Sequence, residues 1–229
     1  MIRCGTLLGM GMTPRRWQFT TEYSREVFGR EDEHLAGLMA EAVAHGLPDI
    51  AVGPDVGRLL MILTAMTHGR LAIEVGTLAG YSAIWIARGL APDGRLITIE
   101  KERRHAEFAQ RQLARAGLAG RVDLRCAPGI EALRELAREL EPRSVDLVFL
   151  DADKKEYPDY WTIAEPLLGI GGLILSDNAY GTGSWWIDDL GDPSRDAADR
   201  FNRLVAAHGD FEAVAVPIRE GILIGRRFR

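Results

Sequence analysis

Two hydrophobic runs in the second half of the chain end in polar side chains that could bind a metal ion. The run VDLVFLD ends at Asp151, and the run GGLILSDN ends at Asp177 and Asn178. If these runs form neighbouring parallel strands, their carboxyl ends meet at one edge of the sheet. Two carboxylates and an amide oxygen suit Mg²⁺, Ca²⁺ or Mn²⁺ better than Zn²⁺. Singly, each could instead be a helix cap or a turn, but their coincidence favours a metal site.

A lysine stands beside this predicted ligand set. Lys154 follows Asp151 by three residues, on the turn that leaves the same strand. A nearby divalent cation lowers the pKa of an amine, so Lys154 could serve as general base towards a metal-bound hydroxyl. Lys155 is the better candidate for a solvated amine.

A candidate nucleoside site precedes these residues. The segment AIEVGTLAGYS at 72–82 is typical of a strand, a tight turn and a helix start. Its glycines, Gly76 and Gly80, have the spacing G-x-x-x-G and not the dinucleotide pattern G-x-G-x-x-G. Glu100 ends the next strand-like run and is placed to accept both hydroxyls of a ribose. The prediction is a nucleoside without a tightly held phosphate; the alternative is that Glu74 and Glu100 are ordinary solvated carboxylates.

Hydrophobic periodicity predicts alternating strands and helices from residue 71 onwards. The predicted strands are 71–75, 96–99, 122–126, 145–150 and 172–175, and the helices between them are 82–90, 102–116 and 129–140. This alternation predicts an α/β fold with a doubly wound, mostly parallel sheet and helices on both faces. A helix at 196–208 and two strands, 211–216 and 221–226, follow; the two strands predict an antiparallel hairpin at the sheet edge.

The N-terminal part is predicted to precede this core. Residues 1–19 are expected to form a loose tail, with translation starting at Met1, Met10 or Met12. Residues 20–229 are expected to form a single domain, whose N-terminal helices at about 20–66 cover the site. Within them, 20–45 is predicted as one helix.

Composition narrows the class of protein. The 229 residues suit one α/β domain, and no hydrophobic run approaches the length that spans a bilayer. The formal net charge of -5 argues against a general nucleic-acid-binding protein. Cys4 and Cys126 have neither metal-site nor disulfide spacing, which predicts a reducing, cytoplasmic location.

Several of these runs together resemble the cation-dependent O-methyltransferases of the catechol and caffeoyl-coenzyme A type. The runs are AIEVGTLAGYSA, DGRLITIE, AGLAGRVDLRCAPGIEAL, DLVFLDADKKEYPDYW, GGLILSDN and VAVPIREGILI, and the resemblance extends over about 49–225. It implies a Rossmann-like class I methyltransferase fold with a seven-stranded sheet, S-adenosylmethionine and a divalent cation as cofactors, a small catechol-like acceptor and a homodimer. By position, the resemblance assigns cofactor binding to Val52, Glu74, Gly76, Thr77, Ser82, Glu100, Gly129 and Asp151, the metal to Asp151, Asp177 and Asn178, and catalysis to Lys154.

The sequence departs from the family pattern at three places, one of which is Ile50, where the family often has Met in the loop before the first helix of the core. Where the family often has Gly-Asp-Ala, this chain has Ala127-Pro128-Gly129, so the acidic contact near the adenine is absent and only backbone contact is expected there. The loop after Asn178 also differs, and its residues Trp185 and Trp186, with Tyr157, are candidates for the walls of the acceptor slot. Packing in the core is an equal alternative for each of them.

The alternatives fall in three classes. The same chemistry could act on a hydroxylated RNA base, which the acidic composition disfavours. A non-catalytic nucleoside-binding protein is disfavoured by the intact set of Asp151, Lys154, Asp177 and Asn178, and a nicotinamide dehydrogenase by the missing glycine pattern.

Overall fold

The computed structural model of the chain describes residues 13–229. The alternative start positions Met10 and Met12, and Cys4, lie outside the described residues. No helix within residues 13–229 combines the length and the apolar character needed to cross a membrane.

The described part of the chain alternates helices and strands along most of its length. Its α-helices are α1 (Pro14–Phe28), α2 (Glu33–Ala44), α3 (Pro54–Thr67), α4 (Tyr81–Gly89), α5 (Arg103–Arg115), α6 (Gly129–Glu139), α7 (Tyr157–Ala164) and α8 (Pro193–Ala207). Its strands are β1 (Leu71–Val75), β2 (Arg95–Glu100), β3 (Val122–Cys126), β4 (Val145–Leu150), β5 (Leu168–Ser176), β6 (Gly181–Thr182), β7 (Trp185–Trp186), β8 (Phe211–Val216) and β9 (Ile222–Arg227). Two short 3₁₀ helices, Lys154–Glu156 and Glu165–Leu167, flank α7.

Seven strands form one sheet in the order β3-β2-β1-β4-β5-β9-β8. The first five are parallel, whereas β9 is antiparallel to both β5 and β8. The predicted mostly parallel sheet with a C-terminal antiparallel hairpin is therefore confirmed. Because β4 lies between β1 and β5, the carboxyl ends that carry the candidate metal ligands are neighbours.

Helices cover both faces of the sheet and bury two hydrophobic clusters. Successive residues of β1 point to opposite faces, as the period of a strand requires: Ala72 packs with α2 to α5, and Ile73 packs with α6 to α8. Both clusters are almost fully excluded from solvent. With its two faces covered, the sheet leaves its carboxyl edge open for a ligand.

The N-terminal segment differs from the prediction. The single helix predicted at 20–45 is wrong, because α1 ends at Phe28 and α2 begins at Glu33. Gly29 closes α1 by donating its N–H to Arg25 O, and Asp32 caps α2 by accepting a hydrogen bond from Leu35 N at 2.9 Å. At its start, α1 includes residues 14–19, which the sequence assigned to a tail.

The loop after β5 contains regular structure. Strands β6 and β7 pair as a short antiparallel ribbon that the sequence did not indicate. The turn between β8 and β9 docks onto the start of this loop, where Tyr180 N donates to Glu220 O and Ala179 N donates to Gly221 O, both at 2.9 Å. The hairpin therefore holds the chain immediately after Asn178.

Candidate active site

A cavity of about 650 Å³ opens at the carboxyl edge of the sheet. This volume is within the range of small-molecule sites. The loop of residues 48–52, which precedes β1, lines one side of the cavity. The remaining walls come from the segments that follow β1, β2, β3, β4 and β5, together with the β8–β9 turn.

The turn after β1 brings two strand ends into contact. Gly76 has a φ of 102°, and a Cβ atom there would lie 2.1 Å from the backbone oxygen of Asp151. Glycine is required because a side chain would collide with the backbone at the end of β4. Gly76 N donates to Ile99 O at 2.9 Å and Asp151 N donates to Val75 O at 2.8 Å. The ends of β1, β2 and β4 are thus fixed together under the cavity.

Glu100 is held at the tip of β2 by backbone amides. Its Oε2 accepts a hydrogen bond from Leu78 N at 2.8 Å, and its Oε1 accepts one from Glu102 N at 2.9 Å. His105 Nδ1 lies 3.7 Å from Oε1. Each carboxylate oxygen retains accepting capacity, so the fixed group can still receive two ribose hydroxyls. Glu100 therefore shapes the glycine turn as well as facing the cavity.

Glu74 lies beneath the cavity and is not one of its lining residues. Its side chain is fully buried, and Oε2 accepts a hydrogen bond from the Thr98 hydroxyl at 2.6 Å. Thr98 in turn is 2.5 Å from the hydroxyl of Thr77, which does line the cavity. Burial raises the pKa of Glu74 to about 8, against the opposing effect of the Ser82 and Thr98 hydroxyls. Glu74 would therefore influence a ligand indirectly, through the hydroxyls of Thr98, Thr77 and Ser82.

Asp151, Asp177 and Asn178 come together at the ends of β4 and β5. Asp177 N donates to Leu150 O at 3.1 Å, which places Asp177 beside Asp151 at the cavity wall. Burial and the negative charge of Asp151 raise the pKa of Asp177 to about 7. The donor chemistry fits a hard divalent cation, since a positive charge there would relieve the repulsion between the two carboxylates.

The ligand set contains two carboxylates and one amide. Among residues 13–229, no group of three or more His, Cys, Asp or Glu side chains is arranged to hold a metal ion. The proposed site therefore needs the amide of Asn178 as its third ligand. The backbone of Asn178 is left-handed, with a φ of 58°.

Lys154 contacts the same carboxylates. Its Nζ lies 3.0 Å from Asp151 Oδ1 and 5.1 Å from the centre of the Tyr157 ring. Burial alone would lower the pKa of Lys154, but its neighbours Tyr157 and Asp151 outweigh that effect and raise the pKa. Lys155, in contrast, has an exposed side chain and does not line the cavity.

The aromatic side chains that the sequence suggested as walls of the acceptor slot do not line the cavity. Tyr157, Trp185 and Trp186 are not lining residues, and the first two are buried elsewhere in the core. The β8–β9 turn instead contributes Arg219, whose Nη1 lies 3.5 Å from Ala51 O. Its positive charge opposes the rise in the pKa of Asp177. A charged residue in a turn gives no sequence signal for this role, because it depends on how the hairpin docks.

Of the residues predicted to bind the cofactor or the metal or to act in catalysis, the structure brings all but one to a single cavity. Its lining includes Val52, Gly76, Thr77, Ser82, Glu100, Gly129, Asp151, Lys154, Asp177 and Asn178, and Glu74 is the exception. Glu156 and Tyr160 also line it, and the sequence reasoning did not select them.

The fold and this cavity define a class: a doubly wound α/β protein with an oxygen-rich, lysine-containing cavity at the carboxyl edge of its sheet. A family model described as O-methyltransferase matches residues 22–228. The chain belongs to this O-methyltransferase family, and the family and enzyme class predicted from the sequence are confirmed.

Named relatives agree with this assignment. The chain is 35% identical over 202 residues to "Catechol O-methyltransferase" from Niastella koreensis, covering 88% of this chain and 91% of the relative. It is 37% identical to "Catechol O-methyltransferase" from Mycobacterium tuberculosis, covering 81% and 82% of the two chains.

Solved structures give the same result. An O-methyltransferase from Bacillus cereus, solved in complex with SAH, superposes with a TM-score of 0.84 at 31% identity, covering 93% of this chain and 99% of that one. The O-methyltransferase TomG from Streptomyces achromogenes, solved with SAM, also gives 0.84 at 33% identity, covering 96% and 100%.

Proposed function

We propose that this enzyme transfers a methyl group from S-adenosylmethionine to one hydroxyl of a small, catechol-like acceptor and requires a divalent cation. The observation that carries this proposal is that Lys154, Asp151, Asp177 and Asn178 face the same cavity as Glu100. A nucleoside held at Glu100 and an acceptor held at the carboxylates would therefore share one enclosed space. Relatives named for catechol methylation, and a structural relative solved with SAM, support the choice of acceptor and cofactor.

The cofactor is proposed to extend along the strand ends. Glu100 would accept the ribose hydroxyls, and Gly129 and Val52 would flank the nucleoside. The glycine turn and Ser82 would hold the amino acid part of the cofactor. When bound, S-adenosylmethionine supplies a methyl group on a positively charged sulfur, which can be displaced in line by an oxygen nucleophile.

The acceptor is proposed to lie at the ends of β4 and β5. Asp151, Asp177 and Asn178 would hold the cation, which when bound supplies positive charge that favours the ionised form of an acceptor hydroxyl. Lys154 would take the proton from that hydroxyl, and its Nζ lies 3.0 Å from Asp151 Oδ1, one of the proposed metal ligands. Asp151 and Asp177 contribute to the raised pKa of Lys154, so a bound cation that offsets their negative charge would lower that pKa.

The test is methyl transfer to catechol by the purified protein, followed by product chromatography. We expect turnover with Mg²⁺ or Mn²⁺, loss of turnover with EDTA, and recovery when the cation is returned. Resorcinol, whose hydroxyls are not neighbours, serves as the matched control acceptor and should react far more slowly. Full turnover in the chelated, metal-stripped enzyme would assign Asp151, Asp177 and Asn178 to capping and turn roles.

Two adjacent lysines provide a matched pair of variants. Lys154→Met should lower turnover by about 10² to 10⁴, the usual span for a general base, while cofactor affinity stays nearly unchanged. Lys155→Met should retain nearly full turnover, because that side chain is exposed and outside the cavity. Equal losses in the two variants would contradict the role of Lys154.

A further inference from the structure

Glu156 lines one end of the cavity and has no role in the proposed function. Pro128, Gly129, Glu156 and Tyr160 line this end together, where α6 begins next to α7. It adjoins Glu100, because Ala127 N donates to Glu100 O at 3.0 Å. If the proposed function holds and Glu100 binds the ribose, the attached base must occupy this part of the cavity.

The start of α6 offers the base no side-chain acceptor. Ala127, Pro128 and Gly129 have no polar side-chain atoms, and proline also lacks a backbone N–H. Adenine carries an exocyclic amino group, which needs a hydrogen-bond acceptor when it is removed from water. A side-chain acceptor must therefore come from another element.

Glu156 is held in place to supply it. The Tyr160 hydroxyl donates a hydrogen bond to Glu156 Oε2. Burial, followed by this bond to Glu156, raises the pKa of Tyr160, so the phenol remains a donor. The other carboxylate oxygen, Oε1, accepts no hydrogen bond from any residue in the described range 13–229. One oxygen is therefore anchored and the other is available to a ligand.

Close packing fixes the anchor against α6. A Cβ atom at Gly129 would lie 2.7 Å from the Tyr160 hydroxyl oxygen and 2.9 Å from Val75 Cγ1. Tyr160 is only 2% exposed, so its ring has no room to move away. Gly129 thus allows the phenol, and with it Glu156, to approach the start of α6.

We propose that Glu156, anchored by Tyr160, accepts the exocyclic amino group of adenine and makes the site select adenine over 6-oxopurines. A carboxylate only accepts hydrogen bonds, so it pairs with the amino group and repels a carbonyl oxygen at the same position. Glu156 is therefore a specificity-determining residue, and it supplies the acidic contact that the segment Ala127-Pro128-Gly129 lacks.

The test compares S-adenosylhomocysteine with S-inosylhomocysteine, whose base has a 6-oxo group in place of the amino group and a proton on N1. Calorimetry measures both affinities in the full-length protein, without acceptor or turnover. The wild type should prefer the adenine form by at least about tenfold, the consequence of one charge-assisted hydrogen bond. Glu156→Gln should reduce this preference to within about threefold, because an amide can either donate or accept. Tyr160→Phe should weaken the preference by freeing Glu156.

Asp159→Asn is the matched control, since Asp159 is an exposed carboxylate on α7 that does not line the cavity. It should keep the wild-type preference. Asp153 is another carboxylate that lines the cavity. An unchanged preference in folded Glu156→Gln, or loss of the preference in Asp153→Asn instead, would overturn the inference, as would a wild type that binds both forms equally or neither. If the preference depends on Glu156 but catechol is not methylated, the inference stands and the proposed acceptor chemistry fails.

Discussion

Two glycines with the same backbone strain but different surroundings provide a sharp test of the site geometry. Gly76 has a φ of 102° and Gly80 a φ of 89°. A Cβ atom at Gly76 would lie 2.1 Å from Asp151 O, whereas at Gly80 its nearest neighbour would be Ala109 Cβ at 3.5 Å. Alanine at Gly80 therefore meets ordinary contacts, and alanine at Gly76 collides with backbone.

The expected losses of stability follow from these two situations. Left-handed backbone costs a residue with a side chain about 1–2 kcal/mol, which applies to both variants. The collision at Gly76 adds about 1–3 kcal/mol, since the end of β4 must move to accommodate the methyl group. We expect the free energy of unfolding to fall by about 2–5 kcal/mol in Gly76→Ala and by about 1–2 kcal/mol in Gly80→Ala.

Urea unfolding followed by circular dichroism measures both values, and calorimetry measures affinity for S-adenosylhomocysteine. Gly76→Ala should also lose at least about tenfold in affinity, because moving the β1 turn displaces the groups that flank the cofactor. Equal destabilisation of the two variants would refute the reasoning, since the contact with Asp151 would then have no energetic consequence. An unchanged affinity in folded Gly76→Ala would separate the turn from the cofactor site.

Three further predictions concern the carboxylates. The pKa of Glu74 rises on folding from 4.5 to about 8, so its contribution to stability is fully present below pH 4.5 and is lost as the pH rises towards 8. The stability of Glu74→Gln relative to the wild type should therefore increase between pH 5 and 8. Urea unfolding measures the free energy of unfolding of both proteins against pH, and two parallel pH profiles would contradict this. Glu100→Gln should weaken S-adenosylhomocysteine binding by about 1–3 kcal/mol in calorimetry, whereas Glu107→Gln, an exposed control on α5, should not. Mg²⁺ should raise the melting temperature of the wild type but not of Asp177→Asn, and equal shifts in the two proteins would place the cation elsewhere.

The central sheet was predictable because its inner strands, such as β1 and β4, are largely buried on both faces, whereas the edge strands β3 and β8 are partly exposed. The bounds predicted for β1, β3, β4 and β8 agree with the structure, since each is a hydrophobic or alternating run between turn residues. The rule that ligands bind at the carboxyl edge then placed Glu100, Asp151 and Asp177 at one cavity. These residues follow directly from strand ends, where sequence position determines spatial position.

The remaining features depend on packing between distant segments. The break between α1 and α2 lies in a charged stretch without proline, and Gly29 ends the helix where it packs against Pro54. Glu156 and Tyr160 meet Gly129 only because α7 packs beside α6. Arg219 reaches Ala51 across 168 positions of the sequence. Helix rotation and loop docking of this kind leave no local pattern in the sequence.

The negative charge of the cavity gives a physical reason why one site would bind both S-adenosylmethionine and a divalent cation. Acidic side chains outnumber basic ones among the lining residues, and the repulsion between Asp151 and Asp177 is part of that excess. Such a field attracts cations, and both a sulfonium and a divalent metal ion are cationic. Methyl transfer to an ionised hydroxyl then converts two opposite charges into two neutral products. Because attraction between opposite charges strengthens away from bulk water, a cavity whose residues Glu100 and Asp177 are buried favours the approach of a sulfonium and an ionised hydroxyl.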